Sequence, residues 1–314
     1  MDIPFSAPIE AAPQVGADRP SLFVPGPPEA VFGVRDVAGT SSETTGHMTP
    51  AEWMRGDDGR LRPGALGVLV DTVVGGPAVA FRPAGGWAVT TDLSITFCAP
   101  IPGDCRALIA RSAAVCADDS RALARGTVHA DDGTLVALVD ERIEFTDSAP
   151  VRRTPRPDGR SSMRLRFDGP DVLLDVADPV VNPGGALHGG VAVYAAELAA
   201  ARVADAAVPG LVATGLHIAF LRPGPIGETL RFAVEVEHRG RNCVLTTVLS
   251  YRADGRECTR TSITYRRPSV SDVRSVSDVR SVSDVRDGVP AIGRQPDSTL
   301  PAPEFSGLQK DVRR

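Results

Sequence analysis

The most restrictive feature of this 314-residue chain is an internal repeat. The segment GDDGRLRPGALGVLVD at 56–71 lies without gaps over NPGGALHGGVAVYAAE at 182–197, so that Asp71 meets the equally acidic Glu197. Further along, LSITFCAP from Leu93 matches LHIAFLRP from Leu216. The chain therefore contains two copies of one structural unit.

Both copies have the same order of predicted elements. Segments 64–80 and 190–207 are apolar on almost every helical face, and such a helix needs cover on more than one side. Each is followed by segments that alternate with a period near two and are separated by turns such as ADDG and RADG, which is typical of antiparallel strands. We therefore predict an α+β fold in which each copy wraps an antiparallel sheet around one central helix.

Changes in composition mark the boundaries of the two copies. Pro and Ala dominate the first residues, Pro, Arg, Ser and Asp interrupt the middle of the chain, and three copies of SVSDVR follow Pro268. We predict a disordered arm at 1–28, a first repeat at 29–146, a linker at 147–162, a second repeat at 163–267 and a disordered tail at 268–314.

Charge and composition argue against several classes of function. The net charge of -5 and the absence of a long basic cluster argue against nucleic acid as a partner. No apolar run is long enough to span a membrane, and the N-terminus has no secretion signal, so we predict a cytoplasmic protein. The five cysteines show no CxxC spacing, which predicts neither a disulfide framework nor a metal site.

The second copy carries a recognisable motif. Asn182, the LHGG of 187–190, an acid nine residues after His188, and HIAFLRP together resemble the PaaI-like branch of the hotdog-fold acyl-CoA thioesterases. The resemblance covers about 165–266 well and 30–146 more loosely, through the repeat. It implies a double hotdog that hydrolyses acyl-CoA without a cofactor other than the coenzyme A of its substrate. We also expect these chains to form a homo-oligomer.

The chemistry needs a carboxylate and a donor for an oxyanion. Gly189 and Gly190, at the start of the second helix, offer backbone N–H groups, and an acid would act as nucleophile or as a base for water. Glu197 lies eight residues from Gly189, about 12 Å along the same helix, and cannot serve the same carbonyl. An antiparallel neighbouring helix would instead bring Asp71 to Gly189, beside His188.

The two resulting sites are not equivalent. Glu197 would face Arg62, Pro63 and Gly64, where Pro63 replaces Gly189 and has no N–H to offer. We therefore predict one working site per chain, formed by Asp71 with the turn from Asn182 to Gly190.

Each candidate residue also has a purely structural interpretation. Asp71 could be a buried acid bonded to a backbone N–H or to a hydroxyl near Thr91, and Glu197 could pair with Arg202 on an exposed face. Asn182 before Pro183 could shape a turn or contact a ligand. The remaining predicted substrate contacts are Gly190, Thr91 and Thr214.

Two other functions are compatible with this architecture. The chain could bind acyl-CoA without catalysis. It could also be an enoyl-CoA hydratase, whose motif resembles Asp-x-x-Asn-Pro-x-x-His. The spacing argues against this function, because the corresponding residues here are Asp178-x3-Asn182-Pro183-x4-His188. The first gap is one residue too long and the second gap is two residues too long.

Overall fold

The computed structural model describes residues 26–147 and 163–268. The predicted arm, linker and tail lie outside these residues, apart from 26–28, 147 and 268. The first half contains α1 (Pro27–Val31), β1 (Val34–Gly39), β2 (Thr44–Met48), α2 (Leu66–Val79), β3 (Trp87–Phe97), β4 (Leu108–Ala117), β5 (Arg121–Ala130) and β6 (Leu135–Thr146). The second half contains β7 (Leu165–Asp168), β8 (Asp171–Asp175), α3 (Gly189–Ala207), β9 (Val212–Phe220), β10 (Thr229–Arg239), β11 (Cys243–Tyr251) and β12 (Glu257–Arg266). Short 3-10 turns occupy Glu52–Met54, Pro63–Ala65 and Asp178–Val180.

The strands form because small and branched apolar residues alternate with polar ones. In β5, for example, Ala122, Ala124 and Val128 are buried, whereas Arg121 and Arg125 are exposed. Such alternation gives an antiparallel sheet one face for the core and one for water. The buried face of each half packs against its long helix.

All twelve described strands belong to one sheet, in the order β1-β2-β4-β5-β6-β3-β9-β12-β11-β10-β8-β7. The halves join where β3 pairs antiparallel with β9: Leu93 pairs with Ile218, and Ile95 with Leu216. Because Leu93 matches Leu216 in the repeat, this register gives the two halves a pseudo-two-fold relation. The predicted double hotdog is confirmed.

The two long helices lie side by side in opposite directions. A Cβ atom added at Gly67 of α2 would lie only 2.2 Å from the carbonyl oxygen of Gly190 of α3, so the backbones are in direct contact there. Gly64 lies against Glu197, whereas Asp71 lies against Gly190, which fixes the antiparallel direction. The sheet covers one side of each helix and the other helix covers a second side, as their apolar character requires.

Candidate active site

Asp71 lies in the middle of α2, with its carboxylate against the first turn of α3 in the other half. The Gly190 N–H donates to Asp71 Oδ2 over 2.9 Å, and the Thr90 hydroxyl lies 3.2 Å from Oδ1. The Nδ1 atom of His188 lies 3.0 Å from Oδ2. Free N–H groups and the positive end of the helix dipole meet at a helix N-terminus and stabilise a carboxylate there.

A cavity of about 1080 Å³ opens beside this carboxylate, between the two halves. Five of the predicted site residues line it: Asp71, Thr91, Asn182, His188 and Gly189. Three others are not part of its wall: Gly190, Glu197 and Thr214. Asp71 therefore has the hydrogen bonds that a structural acid requires, and it also forms part of the wall of a ligand-sized space.

Gly190 does not have the position predicted for a substrate contact. Its N–H points to Asp71 and to His188 Nδ1, 3.1 Å away, and its Cα lies against Gly67, where the helices touch. The N–H of Gly189, by contrast, has no acceptor among the described residues. Of the two predicted oxyanion donors, only Gly189 is free and borders the cavity.

Glu29 on α1 is a site residue that the sequence did not reveal. It is 3% exposed, its Oε1 lies 3.1 Å from His188 Nε2, and it accepts bonds from the Thr72 hydroxyl and the Gly26 N–H. Burial raises the pKa of Glu29, but the hydrogen bond and charge of His188 outweigh it and lower the pKa to about 2. Burial opposes a charged His188, yet Asp71 and Glu29 raise its pKa. His188 thus lies between two carboxylates that favour its protonated form, in which Nδ1 donates to Asp71 and the Gly190 N–H donates to Asp71 alone.

Thr90, rather than Thr91, contacts Asp71. The register of β3 against β6 shifts between Thr90 and Asp92, so Thr91 is the extra residue of a β-bulge. A bulge moves the alternation of side chains by one position. The Thr91 hydroxyl donates instead to the carbonyl oxygen of Arg142. The hydroxyl predicted near Thr91 is therefore that of the adjacent Thr90, whereas Thr91 itself borders the cavity.

Glu141 on β6 is a second acid that the sequence analysis missed. It is 1% exposed and lines the cavity, its Oε1 lies 2.9 Å from the Thr90 hydroxyl, and its Oε2 has no hydrogen-bond partner in the described part of the chain. Burial raises its pKa well above the usual range, and the charge of Asp71 adds to this effect. The alternation Val139, Glu141, Ile143 was the available signal, because it places this acid on the buried face.

Asn182 has the turn position that one of its two interpretations predicted. Its Oδ1 accepts a bond from the Ala186 N–H, and its carbonyl oxygen accepts one from Gly185, whose φ of +79° suits glycine. Asn182 also borders the cavity, so a ligand contact remains compatible with this turn.

The surroundings of Glu197 differ from those of Asp71. Glu197 is 1% exposed beside Gly64, and its Oε2 has no partner among the residues described. Burial raises its pKa to about 7, although Arg62 and the Gly64 N–H act in the opposite direction. The preceding Pro63 supplies no N–H. No side chain of this group borders the cavity described above.

Two predicted contacts in the second half are not present. Glu197 is buried rather than on an exposed face, and Arg202 instead lies over the ring of Phe167 and contacts Gly169. The hydroxyl of Thr214 donates to the carbonyl oxygen of Thr264, away from the cavity. Thr214 is the repeat equivalent of Thr91, and it too lies at a register shift.

Within 26–147 and 163–268, no cluster of three or more His, Cys, Asp or Glu side chains could hold a metal ion. None of the helices in these ranges combines the length and apolar character that crossing a membrane would need.

Comparison with known families gives one match in each half. The family model of the acyl-CoA thioesterase C-terminal domain matches residues 9–140, and that of the thioesterase superfamily matches residues 184–259. No protein of curated function matches the sequence.

Solved structures share the architecture at low sequence identity. The tesB protein of Mycobacterium avium subspecies paratuberculosis has a TM-score of 0.57 at 13% identity, covering 76% of this chain and 97% of its own. Acyl-CoA thioesterase II TesB2 of Mycobacterium marinum has 0.52 at 13%, covering 78% and 98%. The 12:0-ACP thioesterase of Umbellularia californica has 0.52 at 9%, covering 72% and 98%. The two family matches show that the chain is a thioester hydrolase, and the shared architecture is the hotdog fold.

Proposed function

We propose that this protein hydrolyses an acyl-CoA to the free acid and coenzyme A, with Asp71 as the general base. The proposal depends on one observation: Asp71 on α2 of the first half and Gly189 on α3 of the second half border the cavity side by side, and the N–H of Gly189 is free. A base and an oxyanion donor on facing elements are what thioester hydrolysis requires.

The reaction would proceed through a tetrahedral intermediate. A water molecule gives a proton to Asp71 while its oxygen attacks the thioester carbonyl carbon. The carbonyl oxygen becomes an oxyanion, which the Gly189 N–H and the dipole of α3 stabilise. The carbon–sulfur bond then breaks, and the departing sulfur takes up the proton that Asp71 received.

Geometry favours Asp71 as a base over Asp71 as a nucleophile. Both of its oxygens have hydrogen-bond partners, and a Cβ at Gly189 would lie 3.0 Å from each of them. An acyl carbon would have to reach bonding distance of one oxygen in this crowded space. A water molecule needs only a hydrogen bond of about 2.6–3.2 Å.

The walls of the cavity suit the two parts of an acyl-CoA. Trp87, Phe220 and Leu230 provide apolar surface for an acyl group, and Arg82 and Arg222 provide guanidinium groups of the type that bind phosphates. The finer placement in the PaaI-like branch rests on the Asn182 and LHGG motif alone. We propose no cofactor beyond the coenzyme A of the substrate, and chelation should leave the activity unchanged.

A substrate panel tests the proposal. Purified protein is incubated with acyl-CoAs of several chain lengths, an aromatic acyl-CoA and an acyl-ACP, and thiol release is followed. Loss of enoyl-CoA absorbance without thiol release would instead identify a hydratase. Saturable binding without either reaction would identify a non-catalytic acyl-CoA-binding protein.

The role of Asp71 is tested by a single turnover in H₂¹⁸O. A general base places the label only in the product acid. A nucleophile forms an anhydride between Asp71 and the acyl group, and water that attacks the Asp71 carbonyl carbon of this anhydride leaves one labelled oxygen in Asp71. Mass spectrometry of the peptide would detect that label, and its presence would identify Asp71 as a nucleophile.

A further inference from the structure

One hydroxyl group lies between two acids in the wall of the cavity. Thr90 Oγ1 is 3.2 Å from Asp71 Oδ1 and 2.9 Å from Glu141 Oε1. A threonine hydroxyl has one hydrogen and can donate it to only one of the two oxygens. The other contact is favourable only if that acid itself carries a hydrogen and donates it to Thr90.

The surroundings of the two acids decide where this hydrogen lies. Asp71 accepts the Gly190 N–H and lies 3.0 Å from His188, so its carboxyl group has neighbours that can donate to it besides Thr90. Glu141 has only the contact with Thr90, and its Oε2 is buried without a partner among the described residues. A charged oxygen in that position would carry the full cost of desolvation.

We infer that Glu141 is a neutral carboxylic acid that acts as a positioning residue: it donates to Thr90, so that the Thr90 hydroxyl donates to Asp71. This inference rests on the proposed role of Asp71 as the base. If Glu141 ionises, it attracts the Thr90 hydrogen, and the Asp71 carboxylate loses the donor that holds its orientation. Hydrolysis should then slow at alkaline pH.

The charged groups on the surrounding elements agree with this arrangement. Asp71 on α2 is the charge that acts on Glu141, and together with burial it raises the pKa of Glu141 well above the usual range. Glu29 on α1 and His188 at the start of α3 contact each other, and His188 contacts Asp71 rather than Glu141. On β3 and β6, Asp92 and Arg142 form an exposed pair with each other. On β5, Ala124 is the residue that pairs with Glu141.

A glutamine at this position tests the inference. Glutamine has nearly the same shape, donates through its Nε2–H and cannot ionise, so Glu141→Gln should keep the bond to Thr90. Asp140→Asn is the matched control, because Asp140 is a half-buried acid on the same strand that pairs with Arg125. The readouts are the pH dependence of kcat/KM for thioester hydrolysis and a titration of the glutamate carboxyl ¹³C signals.

The carboxyl signal that the wild type shows and Glu141→Gln lacks belongs to Glu141, and at pH 7 it should have the chemical shift of a neutral acid. The variant should keep kcat/KM within about threefold of the wild type. Once the titration shows Glu141 ionised, the wild type should slow by about tenfold for each further pH unit, and Glu141→Gln should not. The Asp140→Asn variant should behave as the wild type throughout.

Two results would overturn the inference. One is a Glu141 signal that is ionised at pH 7, which is decisive whether or not the protein turns over any thioester. The other is a loss of more than about tenfold in Glu141→Gln at pH 7, since that would show that the charge of Glu141 is needed. Failure of the proposed function is a separate result: either the wild type releases no thiol from any acyl-CoA or Asp71→Asn keeps its activity, and the ¹³C titration of Glu141 can be read in both cases.

Discussion

Replacing Glu29 with glutamine tests the buried ion pair that the sequence did not reveal. Glutamine keeps the size of the side chain and can still accept a bond from the Thr72 hydroxyl or the Gly26 N–H, so the main loss is the negative charge beside His188. The pKa of Glu29 falls from its ordinary value of 4.5 to about 2, which corresponds to about 3 kcal/mol of stability at neutral pH.

The stability cost of Glu29→Gln should depend on pH. Because the pKa of Glu29 is lowered, its contribution is present above about pH 4.5 and disappears as the pH falls towards 2. Because the pKa of His188 is raised, its contribution is complete below about pH 6.5 and disappears as the pH rises through its value in the folded protein. The cost of Glu29→Gln should therefore be largest between these limits.

Urea unfolding at pH 6 and pH 9 measures this cost. Glu29→Gln should lose about 3 kcal/mol at pH 6 and less at pH 9, whereas Glu52→Gln, whose side chain is 93% exposed, should lose almost nothing. Equal losses in the two variants at pH 6, or a Glu29→Gln loss that grows from pH 6 to pH 9, would refute the paired imidazolium.

Three further substitutions test separate parts of the structure. Gly189→Ala places a methyl group 3.0 Å from both Asp71 oxygens, so kcat/KM should fall about 100-fold. Gly103→Ala is the control and should match the wild type, because its methyl group would have nothing within 4 Å. A normal rate in Gly189→Ala would contradict the close contact between Gly189 and Asp71. Gly67→Ala puts a Cβ 2.2 Å from a carbonyl oxygen of α3 and should lose more than about 2 kcal/mol in urea, and an unchanged midpoint would contradict the helix contact. Glu197→Gln should gain about 3 kcal/mol at pH 9 and almost nothing at pH 4, because a pKa raised to about 7 removes stability as the pH rises; equal stability at pH 9 would contradict a buried, unpaired acid.

Much of the fold could be predicted because the repeat constrains it twice. The alternating segments predicted after each helix agree with strands such as β5 and β10. The meeting of Asp71 with the start of α3 followed from a length argument, since an acid eight residues along one helix cannot return to its own N-terminus. Local patterns were sufficient for both.

The remaining site residues depend on features that local patterns do not contain. Glu29 meets His188 across 159 residues, and only the folded chain brings them together. Thr90, and not Thr91, contacts Asp71 because a bulge changes which side chains face inward. Bulges have no reliable sequence signal. The alternation of β6 places Glu141 on the buried face of the sheet. Its inferred role, however, depends on its contact with Thr90 of the neighbouring strand, which the sequence does not reveal.

The most direct test compares the two acids that the repeat makes equivalent. Thiol release from one acyl-CoA is measured for Asp71→Asn and Glu197→Gln, with circular dichroism to confirm that both variants fold. Only Asp71 borders the cavity and the free N–H of Gly189, so Asp71→Asn should lower kcat/KM by at least about 100-fold and Glu197→Gln should stay within about twofold. Equal losses, or a loss confined to Glu197→Gln, would contradict a single working site at Asp71.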